Sequence, residues 1–556
     1  MSSAGSQHSV MLTSPVSPPA AVTRAGVRVT CQAVMDPICL VILALAAFLL
    51  FFQVGVRPFW QDEAETACLS RNVLKYSLPL AFDGVNLVSQ EEQREFSTNF
   101  IWSWSPWVQI YVASAGFLMG GENTTAGRSP FVFVGLLCVY FVYRLIRVHF
   151  NSLAWARLSA MLLSVHVPFL LFARQLRYFT LGMCLALLAV NACLVRPQTI
   201  RTRLVSAVAF ALMFHSNYLL FMSFLPSLLI TELLLSRRLP KWNKLILPFF
   251  VVLAIILPGI AFYGIGKQGG MLDFTTIPSN IESYFSGLFY FMIPLPIGVW
   301  LLFRWRSFFV GRFSIPHDSG ERFTLYLVCI IILNIFAMAI VPQCFHRYIV
   351  HLYPFCAIIL GWVVLKIWSF HRISGLLLGA LLLLTNWMHV VPMQLLGIAS
   401  VPPQTDFTML NYPNIPLKLF FIETVKGYPD VNQNLIEFFN NNAKPGETVL
   451  ITYGDLPLQF YTRCKVIGGL QDLVPKAGEF PDWVVKRNTS RTNRDNVLVS
   501  SDEFVLNELD LSRYEVIELP HADEMFGARE DPYYHRFIPM AEPVQKLVVY
   551  KFKKGG

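Results

Sequence analysis

Residues 37–65 read PICLVILALAAFLLFFQVGVRPFWQDEAE, and the change of character at Arg57 decides the fold. The apolar run, about 36–56, matches the ~20 residues a helix needs to cross a bilayer. No small-residue cleavage site follows it, so it reads as an uncleaved signal anchor. Directly after it come an arginine, a proline and two aromatics, then Asp62, Glu63 and Glu65. Trp60 has the amphipathic ring that favours the headgroup region. The acidic segment is therefore set at a membrane surface, a few residues beyond a span.

The rest of the chain agrees with a lipid solvent. Of 556 residues, 54% are hydrophobic and only 14% charged, and the mean hydropathy is +0.51. Soluble domains carry about a quarter charged residues, and disordered chains are poor in the aromatics that make up 14% here. The net charge of +9 comes from 44 Lys and Arg scattered singly or in pairs. Positive cytoplasmic loops account for that balance, and nucleic-acid binding is excluded as a reading. The ten Cys show no CxxC and no metal-ligand spacing.

Further candidate spans lie near 129–146, 154–173, 179–195, 204–218, 219–235, 245–264, 286–303, 323–341, 347–366 and 373–391. Segment 101–120 is apolar but interrupted by Ser103, Ser105, Pro106 and Gly116. Charge resolves it. With 101–120 lying on the outer surface, the clusters Arg144/Arg147/Arg157, Arg196/Arg201/Arg203, Arg237/Arg238/Lys241/Lys244, Arg304/Arg306/Arg312 and Lys366/Arg372 share the inner side, as the positive-inside bias requires. The expectation is a mainly α, multispanning membrane protein of about eleven spans. Residues 1–35, rich in Ser, Pro and Ala, form a flexible cytoplasmic tail. Residues 36–392 form the membrane module, with a first outer loop at 57–128. Residues 393–556 form a small α/β domain outside, with strands predicted over Glu447–Tyr453 and Gln545–Tyr550 and a helix over Asn432–Asn442.

In the first outer loop, Ala64, Ala67/Cys68, Arg71 and Leu74 recur at helical spacing, predicting a helix from about Asp62 to Lys75. Two readings of its acids stand side by side. In one, Asp62 caps the helix and Glu65 completes a capping box. In the other, a partly desolvated carboxylate at the headgroup level is a strengthened base, suited to taking a proton from a hydroxyl or amine.

The run Trp60-Gln61-Asp62-Glu63-Ala64…Arg71-Asn72…Pro79…Asp83-Gly84 after an N-terminal span resembles the start of GT-C class glycosyltransferases that use polyprenyl-phosphate sugars. Protein O-mannosyltransferase-like enzymes and the aminoarabinose transferases of lipid A belong to that class. The order of parts is similar too: signal anchor, acidic first loop, multispan body, outer C-terminal domain. Two departures are visible. Trp102-Ser103-Trp104-Ser105-Pro106-Trp107 stands where the family has a His- or Lys-Pro-Pro-Leu stretch, and Ser89-Gln90-Glu91-Glu92-Gln93-Arg94-Glu95 is inserted before it. The resemblance implies a GT-C-like fold and transfer of a monosaccharide from a polyprenyl-phosphate donor (dolichyl- or undecaprenyl-type) to an acceptor on the outer or lumenal face. It implies Asp62 as catalytic base, with Glu63 the second acid; the acceptor stays open among protein, lipid and glycan.

Cations on the outer side then acquire a task. Arg174-Gln175-Leu176-Arg177-Tyr178 and Phe345-His346-Arg347-Tyr348 both join spans on that face. Snorkelling explains any single arginine there, but two Arg-Tyr loops fit a leaving phosphate. Guanidinium matches phosphate oxygens and stays charged, and fixed cations stabilise the charge that grows as the sugar–phosphate bond breaks. By resemblance, Arg174, Arg177, Arg347 and His346 bind the phosphate, and Tyr178, Tyr348, His215 and Asn217 line the substrate pocket. Scattered acids and His215 give no spacing that demands a divalent ion, so no metal or other cofactor is expected. Glycine-rich phosphate loops are absent from the expected inner face, which disfavours a nucleotide-sugar donor. A transporter or flippase of a lipid-linked sugar is the alternative; it predicts internal repeats and polar helices at mid-membrane, neither of which is legible. The expected location is a bacterial inner membrane or the endoplasmic reticulum, N-terminus cytoplasmic and C-terminus outside.

Overall fold

The computed structural model describes residues 36–195, 197–236, 246–263, 265, 274–306, 308, 310, 316, 318–398, 409–427, 430–476, 478–488, 498–524, 529–538 and 545–553. The expected tail at 1–35 and the cluster Arg237/Arg238/Lys241/Lys244 lie outside the described residues.

The chain is mostly helical. The body opens with α1 (Pro37–Phe51), α2 (Gln61–Tyr76), α3 (Val108–Gly120) and α4 (Thr124–Phe150). It continues through α5 (Leu153–Ser164), α6 (Val167–Ala173), α7 (Phe179–Leu194), α8 (Ile200–Ser216), α9 (Tyr218–Ser236) and α10 (Ile246–Phe262). Then come α11 (Ile277–Phe291), α12 (Leu295–Arg304), α13 (Ser319–Ala339), α14 (Tyr353–Phe370), α15 (Arg372–Leu384) and α16 (Trp387–Leu395). Among the described residues four helices are long and apolar enough to cross a membrane, or up to seven if each bent pair is one span. The pairs α5/α6, α11/α12 and α15/α16 bend by 65°, 107° and 92°. Proline sits at the entry of α6 and of α12, where its missing N–H costs nothing but the preceding turn cannot continue. Four shorter apolar helices, α1, α3, α7 and α10, complete the set.

Of segment 101–120, residues 108–120 form α3, which packs on α2 through two serines. Ser70 donates to the Ile110 carbonyl at 2.9 Å, and Ser114 to the Ser70 carbonyl at 3.0 Å. Such short hydroxyls satisfy each other's helices while letting the backbones approach closely.

After α17 (Pro416–Lys426) and α18 (Val431–Asn442) comes a five-stranded sheet: β1 (Thr448–Ile451), α19 (Asp455–Tyr461), β2 (Lys465–Gly468), β3 (Trp483–Val485), α20 (Ser500–Asn507), β4 (Tyr514–Ala522) and β5 (Lys546–Phe552). Its strand order is β2-β1-β3-β5-β4. β1 is parallel to β2 and β3, with Val449 opposite both Val466 and Trp483, and β5 runs antiparallel to β3 and β4. The apolar β1 and β3 are buried on both faces, as central parallel strands must be.

This small domain is clasped to α2. Gln61 donates to Asp455 at 2.8 Å, and Arg71 to the Phe460 carbonyl at 3.2 Å. Phe59, Phe117 and Phe460 pack as a ring cluster between them, with centroids 5.2–6.4 Å apart. α2 is thereby held between the bundle and the sheet domain, with its first turn fixed from both sides.

Candidate active site at the first turn of the loop helix

α2 begins one residue earlier than its pattern predicts. Trp60 is the N-cap, and Glu63 reaches back to the Trp60 N–H at 3.5 Å. Asp62 is therefore inside the first turn rather than at the cap, and its carboxylate is released from backbone duty. Both acids there are favoured by the positive end of the helix.

Around Asp62 two turns converge. The α6–α7 turn presents Arg177, whose Nη1 donates to the Asp62 carbonyl at 2.9 Å, to Glu65 Oε1 at 3.2 Å and to Thr66 Oγ1 at 3.0 Å. Its Nη2 lies 3.8 Å from Asp62 Oδ2. The short 3-10 segment His346–Leu352 before α14 presents Arg347, whose Nη1 donates to Asp62 Oδ2 at 2.6 Å. Arg347 is steadied over the Phe345 ring, 4.5 Å from its centroid. Asp62, Arg177 and Arg347 keep 16%, 12% and 18% of their side-chain surface exposed. A carboxylate and two guanidiniums from separate turns thus meet in one partly exposed cluster.

The electrostatics correct one expectation. Burial works to raise the Asp62 carboxyl, but Arg347, Arg177 and Arg529 together outweigh it and hold the group below the ordinary carboxylate range. Asp62 is a ready but weakened base while its guanidinium neighbours remain. Glu65 goes the other way: burial dominates over Arg177 and lifts it, and Gln90 donates to it at 2.7 Å. Burial likewise pushes the Tyr178 phenol up, keeping it a neutral donor. The Tyr178 hydroxyl is buried and has no hydrogen-bond partner among the described residues, and its ring lies 5.9 Å from the Arg177 guanidinium.

Several expected site residues stand elsewhere. Glu63 is fully buried and binds Arg128 through two bonds, Nε–Oε1 at 2.9 Å and Nη2–Oε2 at 2.6 Å, while also accepting from the Leu176 N–H at 2.8 Å. That is a structural ion pair, with no lone pair turned to the pocket. Arg174 donates to the carbonyls of Leu49, Phe52 and Gln53 at 3.1–3.2 Å. It caps the end of α1, where orphan carbonyls collect, and lines a cavity of about 250 Å³ with Arg57, Glu423 and Glu530. His346 is buried, shares a 2.8 Å hydrogen bond with the Tyr353 hydroxyl, and packs between aromatic rings. Tyr348 remains beside Arg347, 5.9 Å from its guanidinium. His215 bonds the Ile255 carbonyl at 3.0 Å and lines an open groove with Trp107, Tyr111 and Tyr263. Asn217 accepts from the Leu219 and Leu220 N–H groups at 3.0 and 3.3 Å, capping α9. The periodicity of an apolar run does not say which way a polar residue at its end will turn, and Arg174, His346, His215 and Asn217 serve helix ends and packing.

Two residues at the site escape the sequence reading. Arg128 stands just before an apolar run on the face otherwise poor in arginine, so the test applied to Arg177 and Arg347 would have found it. Arg529 comes from the connection between β4 and β5, and its guanidinium lies 5.1 Å from the Trp60 ring centroid and 4.0 Å from that of Tyr534. Nothing local in the sequence joins it to Asp62. No three His, Cys, Asp or Glu side chains gather as a metal site among the described residues, and the nine described cysteines form no disulfide with one another.

A family model described as dolichyl-phosphate-mannose-protein mannosyltransferase matches residues 105–262. No curated protein matches the chain. The crystal structure of ArnT from Cupriavidus metallidurans bound to undecaprenyl phosphate is similar at a TM-score of 0.55 and 15% identity, covering 93% of this chain and 98% of that one. The apo structure of the same ArnT is similar at 0.53 and 13% identity, covering 92% and 97%. Identity that low speaks for the fold alone, and the likeness extends over nearly the whole of both chains. Taken with the apolar helices, it gives the chain the ArnT-like fold of an integral membrane protein, and residues 105–262 of it match the mannosyltransferase family model.

Proposed function

We propose that the chain transfers a monosaccharide from a polyprenyl-phosphate donor to an acceptor nucleophile at the outer or lumenal face, with Asp62 as base. The observation that carries the reading is the cluster in which Asp62 Oδ2 stands 2.6 Å from Arg347 and 3.8 Å from Arg177. ArnT, whose fold it shares, is described as bound to undecaprenyl phosphate, which supports the same class of donor here.

The chemistry follows from the charges. The acceptor O–H or N–H gives its proton to Asp62 while its lone pair forms a bond to the anomeric carbon. The bond from that carbon to the phosphate oxygen breaks, and its electron pair stays on the phosphate. A singly charged phosphodiester becomes a doubly charged phosphomonoester, and Asp62 becomes neutral. Guanidiniums fixed beside the phosphate stabilise the later state more than the earlier one, which is what lowers a barrier. The same exchange frees the base: a donor phosphate that takes Arg347 removes the strongest influence holding Asp62 down.

One displacement with inversion is the expected course. A double displacement needs a second free carboxylate as nucleophile, and the other acids of the α2 first turn are engaged. Glu63 is closed by Arg128, and Glu65 by Arg177 and Gln90. Arg128 and Arg174 hold the loops that position the pocket.

The test is transfer by purified full-length protein from radiolabelled undecaprenyl- and dolichyl-phosphate sugars, with recovery of labelled acceptor and free polyprenyl phosphate. Label crossing a vesicle bilayer with no bond broken would instead establish the transporter and overturn the proposal.

A further inference from the structure

We propose that the cavity between the ends of α1 and α6 and the helix α17 is a second phosphate site, whose ligand is the phosphodiester headgroup of an anionic membrane lipid. The site uses neither Asp62 nor Arg347, so it stands or falls apart from the donor reading above.

α1 ends at Phe51, and the chain runs on to α2 through Gln53, Val56 and Arg57, which line the cavity. Arg174 follows α6 and turns back over this end. Three of its five N–H groups go to the Leu49, Phe52 and Gln53 carbonyls, which leaves two for a ligand. The guanidinium lies on the Phe420 ring, 5.2 Å from its centroid, and that contact fixes the plane of the fork. α17 supplies the facing wall through Phe420, Glu423, Thr424 and, just past its end, Gly427, which recur at the spacing of one helix face. Lys426, also lining the space, is exposed at its rim. The volume is about 250 Å³, below the roughly 300–1,000 Å³ of sites for drug-sized ligands. That is room for a headgroup, with the acyl chains left outside.

Charge gives the sign of the ligand. Arg57, Arg128, Arg174 and Lys426 line the space against Glu423 and Glu530. Arg57 pairs with Glu423 at 2.6 Å, and Arg128 with Glu63 at 2.6 Å. With Glu63 counted and His535, bonded to Glu423 at 2.9 Å, taken as neutral, one unit of positive charge remains, which one phosphodiester balances. Arg174 is the cation that gains most. It is buried, and among the described residues its hydrogen bonds go to carbonyls, none to a carboxylate. Depth gives the source. The face of α17 turned away from the cavity exposes Phe421 and Val425, one turn apart, by 46% and 49%, with exposed Lys418 a turn earlier. Large apolar side chains on a short helix beside the end of a membrane anchor belong at the bilayer boundary, with lysine stems reaching the headgroups. The cavity sits between that helix and the anchor, at the level of headgroup phosphates. A phosphate shared by Arg174 and Lys426 ties the end of α1 to the helix that leads into the sheet domain.

The experiment measures binding of radiolabelled phosphatidylglycerol to full-length protein in neutral detergent, for wild type, Lys426→Glu, Arg174→Gln and Arg347→Gln. Diacylglycerol with the same chains is the phosphate-free control. Lys426 is exposed, so Lys426→Glu keeps the fold and tests the charge even where Arg174→Gln is unstable. Loss of one charged phosphate contact raises Kd roughly tenfold to a hundredfold. Lys426→Glu and folded Arg174→Gln are expected to show that rise, and Arg347→Gln to bind as wild type. If wild type holds phosphatidylglycerol no better than diacylglycerol, or Lys426→Glu binds it as wild type does, the cavity is not a phosphate site and the proposal falls. Complete displacement of the lipid by inorganic phosphate would make free phosphate the ligand and overturn the lipid source. Equal weakening of undecaprenyl phosphate binding in Lys426→Glu would merge the cavity with the donor site and overturn the second site. Wild type that binds phosphatidylglycerol through Lys426 but no undecaprenyl or dolichyl phosphate would remove the donor reading and uphold this one.

Discussion

Replacing Asp62 by asparagine separates the base from the scaffold. The amide would keep the size of the side chain and an oxygen for Arg347, now 2.6 Å from Asp62 Oδ2, but it cannot accept a proton. A positioned general base contributes about 10²–10⁴ in rate, or roughly 3–5 kcal/mol of barrier. The cost to folding is smaller. The lost charge-assisted contact is worth about 1.5–3 kcal/mol, discounted because the carboxylate is 16% exposed, and the Glu63–Arg128 pair one residue on stays intact. The decisive assay pairs two readings on Asp62→Asn: initial rate of sugar transfer from a polyprenyl-phosphate sugar, and affinity for the free polyprenyl phosphate. The rate is expected to collapse by at least about a hundredfold while affinity holds or improves, because Arg347 no longer divides itself between carboxylate and phosphate. A variant transferring sugar at a tenth of the wild-type rate or better would refute Asp62 as base. One that loses phosphate binding would refute the exchange of Arg347 between the two anions.

Three other perturbations test the assignments around it. Glu63→Gln leaves the Arg128 charge buried without its counter-ion, which costs about 3–5 kcal/mol; the thermal midpoint should drop sharply, and unchanged stability would reopen a catalytic role. Arg174→Met strips three carbonyls at the end of α1 of their donor, at a cost of at least ~2 kcal/mol; stability should fall while KM for the donor, per folded protein, stays put. Glu95 is pushed up to about 7 by burial, against the opposing bonds from Gln90 and Ser89. A raised folded value means its contribution to stability is full below its unfolded pKa and is lost as pH rises through about 7. The melting temperature of wild type should therefore decline between about pH 5 and 8, and Glu95→Gln should flatten that decline.

The membrane class was legible because it follows from composition, which acts over the whole chain. The helix of the first loop was legible from its period, to within one residue at either end. Asp62, Arg177 and Arg347 stood out because each is an ionisable group at a place where lipid makes such groups expensive. The same signal drew in Glu63, Arg174 and His346, and here it could not discriminate. A buried charge that answers another charge or a helix end looks identical, in sequence, to one that faces a substrate. Glu63 was bound to Arg128 by tertiary geometry alone, and Trp60 took the capping position that the capping-residue preference would give to Asp62. Arg529 was illegible for a different reason: it lies 467 residues from Asp62, and only the folded chain brings it against Trp60.

The low-lying carboxyl of Asp62 bears on how such a site would work. A base at a wet membrane surface that was strong at rest would take its proton from water and stay protonated. Held down by Arg347 and Arg177, Asp62 remains ionised across the neutral range. In the proposed reaction the phosphate competes for Arg347, and the carboxylate gains basicity when the donor is seated. Negative charge then moves from Asp62 to the leaving phosphate within one set of guanidiniums, so the pocket as a whole never changes charge. That economy demands cations which are fixed and few, and it explains their supply by separate turns: each is anchored by its own packing, and none needs to reorganise when the bond breaks. Only the Arg347–Asp62 contact must open, and it is the shortest contact to Asp62 in the pocket, at 2.6 Å, and one of its more exposed. Arg347→Lys would weaken this coupling from both ends, through a poorer grip on the phosphate and a less constrained Asp62. Its kcat should fall more than its affinity for the donor.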